Sequence, residues 1–482
     1  MEMIHLTEWL PKPGELIEFV PTAATLNAAA ATPASPIPPS FIQEFHIRYW
    51  RERRVDSDPD RPDVRTELSL AFRIDEPLDR AALRAAFTAF LHRHDSLRCW
   101  FDVDDTTMTR HQIDADAVAL ETVVVGGFDS GEALRDRLGA RFRAPDPTAW
   151  PAFACGAIDH GADGFTVYYS IDHAYSDGAS LVAVLFELHQ LYTAHAAGRE
   201  PALPPVGGYS EYARRERALV AAEPPELEQL ANILAGNADR MRPTPWDLGL
   251  APGEFGDSTG LRFDVLTGAE CEAFGAACEA GGGSYAAGIY AAIALTELEL
   301  DGRTRYLGLN VVGTRDDPQF RFTQGWFVNL VPVTFEVGAA ASFRDLVGRA
   351  RTAVSETKPL ASIPLLAAMA RAAETTGREL PPVRDWPWVS YMDMRMISGA
   401  ILEQSLPGLG EIHGLGSSAR ISQPSPLWFN REHDRVHVAV MFPDTARARE
   451  SVTGYLERLR TILRTVAATG DFATATRGSE VT

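Results

Sequence analysis

The chain has 482 residues, 45% hydrophobic and 23% charged, an ordinary globular composition at a length too great for one simple core, so two domains are expected. A formal net charge of −20 argues against a nucleic-acid surface, which needs a basic excess, and against tight adhesion to anionic lipid. No apolar run approaches the ~18 residues that span a bilayer, and residues 1–15 lack the layout of a signal peptide, so a cytoplasmic, non-membrane-spanning protein is expected.

Residues 21–40 are rich in Ala, Pro, Thr and Ser, with Pro33, Pro36, Pro38 and Pro39, and read as an extended or flexible arm. A helix with aromatic residues begins at Phe41. Residues 68–74 alternate as a strand, and 79–92 form a helix for which Asp79 is the expected N-cap. A strand over 97–103 follows. His160-Gly161-Ala162-Asp163-Gly164 reads as a hairpin turn before 165–171, where every second residue is apolar or aromatic, the period of a half-buried strand. Residues 179–197 then place Leu181, Val184, Leu185, Leu188 and Tyr192 at helical spacing.

A Pro- and Gly-rich bridge over 198–208, and an acidic Pro-containing stretch at 222–227, mark a boundary, giving domains 1–215 and 216–482. The second half reads as a strand near 261–266, helices over 267–280 and up to Leu298, strands at 305–312 and 327–336, and a helix from Phe343. Tyr391, Trp428 and 436–442 mark later strands, and 448–468 a closing helix. The fold class is α+β, two halves with mixed sheets. Cys99, Cys155, Cys271 and Cys278 make no disulfide framework; Cys271 and Cys278 on one helix would lie ~10 Å apart. No Cys-x-x-Cys or His-rich cluster suggests a metal, and all four cysteines are expected to be buried.

The chemistry concentrates in Ile171-Asp172-His173-Ala174-Tyr175-Ser176-Asp177-Gly178. A histidine on the turn between strand and helix sits where an open sheet presents its chemistry. Its unperturbed pKa of about 6.5 suits a general base, and a nearby helix N-terminus favours the neutral form. Taken alone, such a segment more often holds a satisfied core histidine than a base. Asp177 is an N-cap for the helix starting at Gly178, a buried carboxylate paired with an arginine, or both. No Gly-x-Ser-x-Gly elbow is present, so a covalent acyl-enzyme is not implied. Asp172 is read as a surface or turn acid, His94 as structural, and His46 as either an ordinary helix-face residue or one near the acceptor.

Four segments in order resemble the motifs of nonribosomal-peptide condensation domains: Arg93-His94-Asp95-Ser96-Leu97-Arg98, then His173 with Asp177-Gly178, then Tyr209-Ser210-Glu211-Tyr212-Ala213, then Gly325-Trp326-Phe327-Val328-Asn329. Within that superfamily the chain resembles the polyketide-associated (Pap-type) acyltransferases of mycobacteria and related actinobacteria, particularly those that esterify trehalose. The resemblance rests on Glu8-Trp9-Leu10-Pro11-Lys12-Pro13-Gly14, Pro38-Pro39-Ser40-Phe41-Ile42-Gln43, Leu203-Pro204-Pro205, Trp428-Phe429-Asn430-Arg431 and Phe442-Pro443-Asp444. It implies two chloramphenicol-acetyltransferase-like lobes in a V with a tunnel between them. It further implies His173 as base, Asp177 and Gly178 as supporting residues of the motif, Arg315 as the partner of Asp177, and Trp326 and Asn329 lining the tunnel.

The function so implied is O-acyl transfer of a fatty or polyketide acyl group from a thioester, on coenzyme A or a carrier protein of a polyketide synthase, to an alcohol or sugar such as trehalose. No metal or other cofactor is implied beyond the thioester co-substrate, and a monomer is expected. Asp172 stands where condensation domains carry a first histidine, which agrees with the acyltransferase branch. Two other readings stay open: a free-standing condensation enzyme forming an amide or ester between carrier-bound substrates, and a catalytically silent recruitment domain.

Overall fold

The computed structural model describes residues 2–54, 67–338, 341–396, 406, 408–416 and 419–474. The chain divides into two compact units: Met1–Ala221 with Gly313–Val328 and Gly399–Ala419, and Ala222–Val312 with Asn329–Ser398 and Arg420–Thr482. Each is built on a seven-stranded sheet.

In the first unit the strands lie in the order Glu2–His5, Leu409–Gly416, Glu67–Ile74, Phe165–Asp172, Phe153–Asp159, Gly14–Pro21 and Leu120–Phe128. Only the first pair is parallel. The helices are α1 (Ala23–Ala30), α2 (Phe41–Arg54), α3 (Arg80–Arg93), α4 (Gly131–Phe142), α5 (Gly178–Ala196) and α6 (Tyr209–Ala221). Phe87 and Phe90 of α3 and Leu185 and Leu188 of α5 meet Phe72, Val167 and Tyr169 of the sheet in one core. Leu134, Leu138 and Phe142 of α4 join Leu6, Trp9, Leu16 and Tyr168 in another. Fully burying a side chain of this size contributes about 1.5–3 kcal/mol.

That second layer corrects the expectation of a half-buried strand at 165–171. Alternate residues of the strand point to opposite faces, and both faces are covered, so every residue of Phe165–Asp172 except Thr166 is buried. The expected arm at 21–40 also differs. Residues 23–30 are mostly alanine, the strongest helix former, and fold as α1, whose N-cap Thr22 accepts a hydrogen bond from the Thr25 N–H. A short strand, Ala34–Ser35, then joins Cys99–Val103 and Met108–Gln112 in a three-stranded sheet.

The second unit orders its strands as Val328–Glu336, Arg305–Gly313, Trp388–Asp393, Leu427–Arg431, Arg435–Pro443, Gly256–Thr267 and Arg420–Ile421. Its helices are α7 (Pro225–Asn237), α8 (Ala269–Ala280), α9 (Tyr285–Asp301), α10 (Phe343–Thr357), α11 (Leu365–Thr376) and α12 (Ala446–Thr469). Phe274, Ile293, Leu346 and Leu459, one each from α8, α9, α10 and α12, share a core with Phe429 and Val438 of the sheet. Among the described residues no helix is long and apolar enough to cross a membrane.

All four cysteines are unbridged and buried. Burial pushes the thiols of Cys99, Cys155 and Cys278 up to about 12 and raises that of Cys271. The thiolate is the reactive form. A chromogenic disulfide reagent at pH 8 is therefore expected to leave the native protein unlabelled and to titrate four thiols once denaturant is added. Stoichiometric labelling of the native chain would contradict this burial.

Candidate active site

The central strand Phe165–Asp172 ends in a single 3-10 turn, His173–Tyr175, which leads through extended Ser176 and Asp177 into α5. Asp172 caps that turn, its Oδ1 accepting the Ala174 N–H at 2.8 Å. The expectation that Asp172 is a surface or turn acid is thus half corrected: it is a turn acid, but wholly buried, because the strand it ends is covered on both faces. His173 is partly exposed.

Asp177 fulfils both of its open readings. Its Oδ1 caps α5 by accepting the Ser180 N–H at 2.7 Å. The same carboxylate takes a two-pronged ion pair from Arg315, 2.7 Å from Nη1 to Oδ2 and 3.0 Å from Nη2 to Oδ1, and Oδ2 also accepts the Phe327 N–H at 2.9 Å. Arg315 further donates to Ser180 Oγ at 2.7 Å and lies over the Phe327 ring. It is thus paired with Asp177, as the resemblance implies. Gly178 is the exposed first residue of α5, and a Cβ there would meet nothing within 4 Å. Its N–H is one of the initial helical donors with no partner inside the helix.

The remaining motif segments converge on the backbone of residues 324–327. His94 Nδ1 accepts the Gln324 N–H at 3.3 Å while its Nε2 meets Glu187 of α5 at 2.7 Å. Ser96 Oγ donates to the Gln324 carbonyl at 2.7 Å, and Gln324 Nε2 donates to the Ser180 carbonyl at 3.1 Å. Asp95 caps α6, accepting the N–H groups of Tyr209 and Ser210. The Tyr209 hydroxyl in turn donates to the Trp326 carbonyl at 2.8 Å. A Cβ on Gly325 would fall 2.1 Å from the Tyr209 ring, so only glycine fits.

What this clamp holds is Trp326. Its ring packs on that of His173 with centroids 3.9 Å apart, and edge-on to His46 at 5.2 Å. His46 and His173 are 6.1 Å apart, and His46 Nε2 meets Asp172 Oδ1 at 3.2 Å. His46 is thus part of the site. Its helix is fixed by a reciprocal cap: the Ser40 N–H donates to Gln43 Oε1, and the Gln43 N–H to Ser40 Oγ. Gln43 Nε2 then donates to the carbonyl of Ala174 at 2.9 Å, tying α2 to the His173 turn. Sequence reading passed over Gln43. Its signal was the Ser40-x-x-Gln43 spacing, a capping box. Arg110, fully buried and donating to the Pro38 carbonyl, was beyond pattern reading.

Asn329 departs from the expectation of a substrate-lining residue. Its Nδ2 donates to the carbonyls of Ala361 and Ile363, at 2.8 and 2.6 Å, and its Oδ1 accepts the Leu365 N–H at 3.0 Å. Its amide is occupied in clamping the turn that starts α11. Among the described residues no group of His, Cys, Asp and Glu could hold a metal ion.

Residues 66–379, which include the histidine turn and its aspartate–arginine pair, match the family described as Condensation domain. The chain is 29% identical over 471 residues to the acyltransferase PapA3 of Mycobacterium tuberculosis, covering 96% of each. It is 30% identical over 473 residues to that organism's 2'-acyl-2-O-sulfo-trehalose (hydroxy)phthioceranyltransferase PapA1, covering 97% of this chain and 89% of that one. A solved structure titled PapA2 acyl transferase superposes with a TM-score of 0.86 at 26% identity, covering 97% of this chain and 100% of the other. The chain belongs to the condensation-domain family, among its Pap acyltransferases, and is an enzyme that transfers acyl groups.

Removing one partner from a buried, saturated ion pair leaves the other charge uncompensated, at about 3–5 kcal/mol. Asp177→Ala and Arg315→Ala are each expected to lower the free energy of unfolding by that amount. The double variant should fall short of the sum, since the two effects share one interaction. Denaturant titration followed by circular dichroism reads this directly; unchanged midpoints would contradict the assignment of the pair.

Proposed function

We propose that the enzyme moves a fatty or polyketide acyl group from a thioester, on coenzyme A or a carrier protein, to a hydroxyl of a sugar such as a trehalose derivative. The observation that carries the reading is the turn itself. It holds a partly exposed imidazole, His173, against Trp326, while the motif's carboxylate is buried and saturated by Arg315, Ser180 and Phe327. Asp177 is then a positioning residue and His173 the base.

In the proposed step a ring nitrogen of His173 accepts the hydroxyl proton as the oxygen attacks the thioester carbonyl carbon. The new C–O bond forms, the C–S bond breaks, and the imidazolium returns its proton to the departing thiolate, giving ester and thiol. General-base help of this kind supplies about 10²–10⁴-fold. Positioning and oxyanion donors supply the rest, and the Gly178 N–H at the start of α5 is suited to that second role. The step needs no group beyond the thioester co-substrate. The sugar acceptor is supported by the relative named for a sulfated, acylated trehalose.

Purified protein offered acyl-CoA and acyl-carrier donors with a panel of alcohols, trehalose and its 2-sulfate included, is expected to form an ester detected by mass spectrometry. His173→Ala is expected to lower kcat by about 10²–10⁴-fold with the fold intact. Ester formation that survives His173→Ala at full rate would overturn the reading.

A further inference from the structure

We propose that His46, oriented by Asp172, is a second substrate-contacting imidazole. It takes the hydroxyl next to the one acylated, so that the site selects acceptors carrying hydroxyls on neighbouring carbons. The inference rests on the reading of His173 as the base at the acceptor hydroxyl.

His46 is only 8% exposed, yet among the described residues one of its two ring nitrogens has no hydrogen-bond partner. Nε2 is bound to Asp172 Oδ1 at 3.2 Å. A carboxylate takes a proton rather than giving one, so it fixes the neutral ring's hydrogen on Nε2 and makes Nδ1 an acceptor. Among the described residues none hydrogen-bonds Nδ1. Nor does any hydrogen-bond Asp172 Oδ2, although that atom is wholly buried. Buried polar atoms are nearly always satisfied, and exceptions point to strain, an unplaced solvent molecule or a functional role.

The chemistry of the missing partner follows from this inventory. Toward a substrate the pair offers one acceptor, Nδ1, because Oδ2 is wholly buried, and its one shared proton is already used between Nε2 and Oδ1. A group that meets it must donate hydrogen bonds, which a hydroxyl does and a thioester carbonyl cannot. The location follows from the rings. His46 lies 6.1 Å from His173, and Trp326 packs on both, at 5.2 and 3.9 Å. Two oxygens on adjacent carbons, each about 2.8 Å from a ring nitrogen, would bridge two rings whose centroids stand 6.1 Å apart. A carboxylate holding a base that reaches substrate is a recurrent catalytic arrangement; here it holds the neighbour of the base.

The rival account is that His46 only satisfies the buried carboxylate of Asp172. The two accounts require different nitrogens, and amide side chains separate them. The Asn amide reaches the level of Nδ1 and the Gln amide that of Nε2. Palmitoyl-CoA is the donor, with trans-1,2-cyclohexanediol and cyclohexanol as acceptors, and the readout is the ratio of their kcat/KM values per hydroxyl group. A hydrogen bond of ordinary strength makes the wild-type ratio about five- to tenfold. His46→Ala and His46→Gln are expected to bring it close to one, and His46→Asn to keep most of it. Asp172→Asn, which still caps the turn, should lower it in part.

Rescue by Gln but not Asn, an unchanged ratio in His46→Ala, or a proportional loss on both acceptors would each overturn the inference while leaving His173-dependent transfer in place. Absence of His173-dependent ester from any alcohol would instead remove the functional reading, and this inference with it. Thermal midpoints establish that each variant is folded. Where His46→Ala is not, the Asn and Gln pair decides.

Discussion

Asp177 sits closed off from water and accepts hydrogen bonds from the Ser180 N–H, two Arg315 nitrogens and the Phe327 N–H. A carboxylate and a guanidinium withdrawn from solvent lose several kcal/mol each in hydration, and recover it only if nearly every lone pair and N–H finds a partner. That requirement dictates much of the local structure. Helix α5 must begin at Gly178, so that the Ser180 N–H of its first turn reaches the carboxylate. The segment Gly313–Val328, although it comes from far along the chain, must fold with the first unit to bring both Arg315 and the Phe327 backbone to it. The histidine four residues earlier is then fixed between a buried strand end and a saturated helix cap. Its freedom is removed from both sides without either neighbour needing to touch substrate.

The segments that resemble the family's motifs share a physical purpose, and it is mostly not catalytic. Asp95 caps α6, Tyr209 of α6 holds the Trp326 carbonyl, and His94 and Ser96 hold Gln324. Each side chain satisfies backbone donors or acceptors of an irregular segment that has no ladder of its own, and buried backbone groups need such partners. The outcome is an indole pressed onto an imidazole. Conformational entropy of the site is thus spent at folding rather than at substrate binding, as pre-organised catalysis requires.

Sequence patterns delivered the long, strongly periodic elements: α3, α5, α9, α12 and the strands at 67–74, 165–172 and 435–443. They delivered His173 and the Asp177–Arg315 pairing through ordered motifs. What they missed shares a cause. The strands Gly14–Pro21 and Phe153–Asp159, like helix α4, lack a clean one-sided pattern, because the sheet they build or cover is buried on both faces. Helix α1 was hidden by the prolines that follow its alanines. Asn329 stood in a motif whose neighbours touch the site, yet its own amide is taken by the 361–365 turn, a contact no linear spacing announces. Asp172 fits its reading as a turn acid but lies wholly buried, because the strand it ends is covered on both faces.

The burial of Asp172 also bears on why an acid is tolerated where condensation domains carry a first histidine. A carboxylate at the end of a doubly covered strand would be expelled, or held neutral, unless donors converge on it. Only two do so among the described residues: the Ala174 N–H, which any capping residue could use, and Nε2 of His46. The first comes with the turn, whereas the second depends on α2, and α2 is registered against the turn by Gln43 and anchored by its Ser40–Gln43 cap. Acid at 172 and imidazole at 46 are therefore one unit, made possible by a helix whose capping box reaches the His173 turn. In this chain the imidazole that neighbours His173 comes from that helix, and among the described residues its second nitrogen has no hydrogen-bond partner.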